Sequence, residues 1–101
     1  IVFDEIDAGV GGRIAEVIGE KLAALAEKKQ VLVITHLAQI ASHADTHFVV
    51  SKSDVDGRTV STIDLISDEA RVNEIARMIA GKEITETSRA HAAEMLARGA
   101  R

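Results

Sequence analysis

The sequence predicts an α/β fold in which parallel strands joined by a helix are followed by a β-hairpin and two closing helices. Three observations predict it. Two short apolar runs, residues 1–5 (IVFDE) and 31–35 (VLVIT), flank a stretch of helical periodicity, the order of a right-handed βαβ unit. Two strand-like runs, 47–52 and 58–66, flank Asp56-Gly57, a dipeptide suited to tight hairpin turns. Two further helical stretches, bounded by Ser or Thr at one end and Gly at the other, complete the chain.

Each element has its own signal. Over residues 13–28, Ile14, Ile18, Leu22 and Leu25 recur at helical spacing, whereas Glu16, Glu20 and Glu27 fall elsewhere. Lys28 and Lys29 lie at the C-terminal end, where cations suit the helix dipole. Residues 31–35 are apolar at successive positions, the pattern of a central parallel strand covered on both faces. A short helix is expected over 37–42, and residues 53–57 are expected to link the two hairpin strands. The spacing then predicts a helix over 68–80, capped by Ser67 and stopped by Gly81. A second follows over 88–98, capped by Thr87 and stopped by Gly99. There is no proline, internal repeat or low-complexity linker.

Composition narrows the function classes. The chain has 101 residues, of which 47% are hydrophobic and only 2% aromatic, so its core must be built from aliphatic side chains. It has no cysteine, which excludes disulfides and thiolate metal sites within it. No apolar stretch reaches the roughly 18 residues that a membrane helix needs, and no secretory signal is visible. A soluble cytoplasmic setting is expected. The net charge of −4 gives no support to a broad nucleic-acid footprint on this piece, and leaves open DNA binding by a longer parent. Because Ile1 lies inside an apolar run, the chain reads as a piece of a larger fold.

The candidate chemistry begins at Asp4 and Glu5, two adjacent acids directly after an apolar strand. Carboxylates at a buried strand end need a cation or hydrogen-bond donors. In α/β sheets, ligands bind at the carboxyl ends of parallel strands. A Mg²⁺–nucleotide site uses one acid to hold the metal and another to orient or deprotonate water. The bland alternative is an acidic pair capping a strand at the surface. Gly9, Gly11 and Gly12 do not complete a dinucleotide fingerprint, because the third glycine position falls on Ile14, and no Gly-Lys-Ser/Thr phosphate loop occurs. They read as a close-approach loop or as a tight connection. His36 ends the second strand after Thr35. Beside a carboxylate pair, its imidazole can reach a γ-phosphate or the attacking water. Gln39 follows on the next segment, either reaching that site or solvated. His43 and His47 have a metal-compatible spacing but straddle a helix-to-strand junction, and His91 has no such setting.

These residues also carry a family resemblance. IVFDEIDAGVGG resembles the Walker B strand and D-loop of ABC-type and SMC-like ATPases, and VLVITHLAQIA resembles their histidine-switch strand. The form DEIDAGVGG followed by ITHLAQIASHADTHFVVSK, with ARMIAG and TSRAHAAEML in the tail, is similar to the RecN family of bacterial DNA-repair ATPases. Where transporter and SMC heads usually carry a D-loop Asp, this chain has Gly11. The resemblance implies the C-terminal half of an ABC-type P-loop ATPase head, with ATP and Mg²⁺ as cofactors of the full-length parent. It implies that Asp4 holds Mg²⁺, Glu5 is the general base and His36 senses the γ-phosphate. It also implies that Asp7, Ala8, Gly9, Val10 and Gly11 form a D-loop at a head–head interface. The implied partners are the N-terminal part of the same head, the second head of a homodimer and, through the parent, DNA; no membrane is implied. The Walker A loop, coiled coil and signature motif are absent from this chain, so it would be inactive alone. Other readings are a different SMC-like or ABC head, a non-catalytic α/β interaction module, and a Mg²⁺ nuclease or phosphatase using Asp4, Glu5 and Asp7.

Overall fold

A computed structural model describes residues 1–4 and 9–100 of the chain. The expected order of elements is present. Strand β1 (Val2–Asp4) leads to helix α1 (Gly12–Ala26), which returns to strand β2 (Leu32–Ile34). The two strands are parallel neighbours, with Val2 beside Leu32, Phe3 beside Val33 and Asp4 beside Ile34. Phe3 and Val33 share the half-buried face, while Val2, Leu32 and Ile34 lie more than half exposed on the other. The strand expected to be central has one strand neighbour among the described residues, and its second apolar face is open.

Helix α1 buries its expected face only in part, with Ile18, Leu22 and Leu25 half-buried. Its buried residues are Ala15 and Gly19, not the large aliphatics, and Ile14 is 57% exposed. The reason is a backbone-close contact with the short helix α2 (Ala38–Ala41). A β-carbon on Gly19 would lie 2.5 Å from His43 Cδ2 and 2.8 Å from the Gln39 carbonyl oxygen, so no larger residue fits without displacement. Glu16, expected to face elsewhere, points toward the same contact, and its Oε1 lies 3.2 Å from His43 Nε2. Lys28 and Lys29 fall just beyond the helix, in a turn closed on the Leu25 carbonyl.

The core lies under α2. Ala38 and Ala41 join Ile75 and Ala76 of α3 (Asp68–Ala80) and Ala92 and Met95 of α4 (Glu86–Gly99), with Val72, Met78, Ile79 and Leu96 packed around them. Small alanines let the helices approach closely, which is how an almost ring-free sequence still closes a core. Arg71 of α3 donates from Nη2 to the carbonyls of Ala41 (3.1 Å) and Ala44 (2.7 Å), satisfying acceptors at the C-terminal end of α2 that the helix itself leaves open. Gly99, expected as a stop signal, is the last helical residue and is buried; a β-carbon there would overlap the Ser42 carbonyl.

Between α2 and α3 in the sequence, β3 (His47–Val55) and β4 (Arg58–Ile66) form an antiparallel hairpin. The expected loop over 53–57 shrinks to Asp56-Gly57. Ser53, Asp54 and Val55 are in the ladder, paired with Val60, Thr59 and Arg58. Both turn residues have positive φ, 50° and 77°, the two-residue geometry whose twist matches the strands. One face of the hairpin presents Phe48, Val50, Ile63 and Leu65, all more than half exposed.

The closing helices confirm one boundary and correct another. Helix α3 spans the expected residues, with Ser67 at the cap position but no side-chain cap bond. Helix α4 starts two residues earlier than expected, and its cap is Thr85 rather than Thr87. The Ser88 amide donates to Thr85 Oγ1 at 3.0 Å and the Thr85 amide donates to Ser88 Oγ at 2.8 Å. Serine here takes the reciprocal role that Glu or Gln usually fills in a capping box.

The packing ranks two substitutions. Ile75 is fully buried at the centre of the core, so Ile75→Ala is expected to lower the unfolding free energy by roughly 2–5 kcal/mol. Thr85→Ala removes one cap bond and is expected to cost about 1 kcal/mol. Urea unfolding followed by circular dichroism checks the order; an equal cost at the two positions would contradict this assignment of the core.

Candidate functional site

The parallel register brings the C-terminal ends of β1 and β2 to one edge of the sheet. Asp4 ends β1 beside Ile34, and His36 follows Ile34 by two residues. Both Asp4 and His36 are exposed at that edge. The link from β2 to α2 is short and fixed: Thr35 Oγ1 accepts a hydrogen bond from the Leu37 amide at 3.0 Å, so the chain turns through His36 straight into α2. Glu5, Asp7 and Ala8 lie outside the described residues. Gly9 has a φ of 76°, a backbone form that glycine adopts without strain. Val10 is half-buried, and Gly11 caps α1 in extended geometry, its carbonyl accepting from the Ala15 amide at 2.9 Å.

Gln39 sits at the same corner. A β-carbon on Gly12 would lie 3.2 Å from its Nε2, so the Gln39 side chain packs over the first residue of α1. The start of α1 and the segment after His36 thus meet directly. Among the described residues no group of three or more His, Cys, Asp or Glu side chains can hold a metal ion. A single carboxylate at the edge fits a Mg²⁺ held mainly by phosphate oxygens and water. It does not supply an all-protein cage. His43 and His47 point to different partners, His43 to Glu16 of α1 and His47 to the neighbourhood of Arg71 on α3, so their spacing does not form a metal pair.

Comparison with known proteins gives the chain its relatives. It is 49% identical over 96 residues to the DNA repair protein RecN of Halalkalibacterium halodurans, 50% over 97 residues to that of Deinococcus radiodurans and 50% over 101 residues to that of Treponema pallidum. These alignments cover 95%, 96% and 100% of this chain, and 17%, 17% and 18% of those proteins. The chain matches the C-terminal part of RecN. It spans about a sixth of the length of the relatives it resembles. No family model matches. The RecN-like segment also superposes on a solved structure from work on ATP-driven dimerization and DNA-stimulated activation of SMC ATPases. The TM-score is 0.62 at 24% identity, covering 82% of this chain and 48% of that one. The two share an α/β fold, and no helix among the described residues is long and apolar enough to cross a membrane.

What the sequence did not single out in the RecN-like segment is the seat of α2. Gly19 stands in the middle of a helix, where glycine is costly relative to alanine, and that cost was the available signal. The pairing of Glu16 with His43, 27 residues apart, had none. A second buried polar junction lies where β3 meets α3: His47 Nδ1 and Arg71 Nε are both buried without a hydrogen-bond partner. Burial first, and then the positive charge of Arg71, hold the His47 imidazole below its ordinary pKa, against a smaller opposing effect of Glu74.

That depression has a definite sign. A histidine harder to protonate in the folded state contributes stability that is fully present above its unfolded pKa, about 6.5, and is lost as pH falls through the lower folded value. The urea midpoint is therefore expected to fall between about pH 7.5 and about pH 5.5, and His47→Gln is expected to reduce that fall. An equally steep fall in His47→Gln would contradict the assignment.

Proposed function

We propose that this chain is part of the ATP-hydrolysing head of a RecN-like DNA double-strand-break repair and recombination protein. The observation that carries the reading is the shared sheet edge, where Asp4 and His36 emerge from parallel neighbours within a sequence half identical to RecN. In this reading Asp4 holds Mg²⁺, which would neutralise charge developing on the phosphates. Glu5 is the general base that takes a proton from the attacking water. His36 hydrogen-bonds the γ-phosphate, and Gln39, packed over Gly12, lies close enough to the edge to help bind nucleotide.

Asp7, Ala8, Gly9, Val10 and Gly11 act as a D-loop that reaches a second head. ATP-driven dimerization and DNA stimulation, described for the SMC ATPases of the structural neighbour, are the behaviours proposed for the parent. The phosphate-binding loop and signature motif come from other parts of that parent. The open apolar face of Val2, Leu32 and Ile34 suits the remainder of the same head, since exposed apolar patches mark interaction surfaces. The proposed setting is the cytoplasm, in association with the nucleoid.

Two measurements test the reading. The 101-residue chain alone is expected not to turn over ATP, because backbone amides and a lysine of a phosphate loop supply most nucleotide binding. Steady turnover by it would sink the composite-site idea. In the full-length protein, Glu5→Gln is expected to slow hydrolysis by about 10²–10⁴-fold with ATP binding retained, whereas Asp4→Asn weakens Mg²⁺-dependent binding as well. Hydrolysis at the parental rate in Glu5→Gln would remove Glu5 from the role of base.

A further inference from the structure

The element that follows His36 is buried and held from several sides. Helix α2 has only four residues, yet Ala38, Ile40, Ala41 and the following Ser42 are all buried. Three helices fix it. From α1, the absent side chain of Gly19 lets the Gln39 carbonyl and the His43 ring approach the helix backbone, and Glu16 Oε1 meets His43 Nε2 at 3.2 Å. From α3, Arg71 holds the Ala41 and Ala44 carbonyls. From α4, Gly99 lies under the Ser42 carbonyl. At the other end, the bond from the Leu37 amide to Thr35 Oγ1 spans His36 itself. No slack segment separates His36 from the seat of α2.

We propose that Gly19 is a positioning residue for His36: the seat it opens on α1 sets where α2 lies, and α2 sets where the imidazole stands at the sheet edge. This rests on the reading of His36 as the γ-phosphate contact. Gly12, the first residue of α1, lies against the Gln39 side chain, so the same seat ties the start of α1 to the segment after His36. Gly19→Ala inserts a methyl group 2.5 Å from His43 Cδ2 and 2.8 Å from the Gln39 carbonyl oxygen. One of those atoms is backbone, so α2 must shift. Alanine is also the better helix former, which offsets part of the packing loss and favours a folded variant.

The test is a double-mutant cycle in the full-length protein, reading single-turnover ATP hydrolysis and ATP affinity. Gly19→Ala is expected to slow hydrolysis by about 10- to 100-fold, the scale of an ångström-sized misplacement, with ATP affinity within about twofold of the parent. Because Gly19 acts through His36, Gly19→Ala combined with His36→Ala is expected to be no slower than His36→Ala alone. Multiplying defects, parental turnover in Gly19→Ala, or an affinity loss that tracks the rate would each overturn the proposal. Should thermal melting show Gly19→Ala unfolded, the same cycle is run on Glu16→Ala, which removes the acceptor for His43. A few-fold loss masked by His36→Ala and restored by Glu16→Gln supports the positioning role. A loss that Glu16→Gln does not restore, or that adds to His36→Ala, overturns it. Parental turnover in His36→Ala itself would instead remove the γ-phosphate role, and the positioning claim with it.

Discussion

The close approach of α2 to the backbone of α1 at Gly19 is the constraint on which the rest of this structure depends. A four-residue helix has no stability of its own. It persists because three longer helices surround it, and they can do so because small residues occupy the contact positions, Gly19 on α1, Ala76 on α3, Ala92 and Gly99 on α4. Close packing of small residues replaces the aromatic anchors the composition lacks. The same contact joins the βαβ unit to the helical half, since α2 packs on α1 at one side and on α3 at the other.

That division of labour shapes the surface. The helical half buries its apolar residues, with Ile75 and Met95 at the centre. The two sheets do not. Val2, Leu32 and Ile34 on one sheet and Phe48, Val50, Ile63 and Leu65 on the other remain more than half exposed. Backbone pairing and the Asp56-Gly57 turn hold the hairpin, while its apolar face contributes little burial. A polar junction helps where the halves meet, Arg71 bonding the end of α2; within the helical half, Arg89 of α4 pairs with Glu69 of α3 at 2.7 Å on the surface, a weak contribution given its exposure.

Much of this was legible in the sequence. The apolar runs and their order predicted the parallel pair, and Asp56-Gly57 predicted the hairpin. Local chemistry, acting over two to five residues, decides both. The shared edge was expected for Glu5 and His36, because parallel neighbours emerge together; the described residues bring Asp4 and His36 to it, and Glu5 lies outside them. The burial of α1 was misread for a physical reason. Periodicity weighs large aliphatics such as Ile14, but a helix seated backbone to backbone buries its smallest residues and leaves the large ones at the rim. The Thr85 cap was missed because its partner is Ser88 rather than the usual Glu or Gln. The bonds from Glu16 to His43 and from Arg71 to Ala41 cross some thirty residues and carry no local signature at all. The roles of Glu5 and Asp7 rest on the family resemblance, since both lie outside the described residues.

The central claim is that a sheet edge carrying Asp4 and His36, fixed by the seat of α2, meets the γ-phosphate of ATP. The most direct measurement is an experimental structure of the full-length protein with Mg²⁺ and a non-hydrolysable ATP analogue. The account predicts an imidazole nitrogen of His36 within hydrogen-bonding reach of a γ-phosphate oxygen, about 2.7–3.2 Å, and the Asp4 carboxylate bound to the metal directly or through one water. Gly19 should remain in contact with α2. A nucleotide bound elsewhere, or one bound at this edge with His36 turned away from the γ-phosphate, would contradict it.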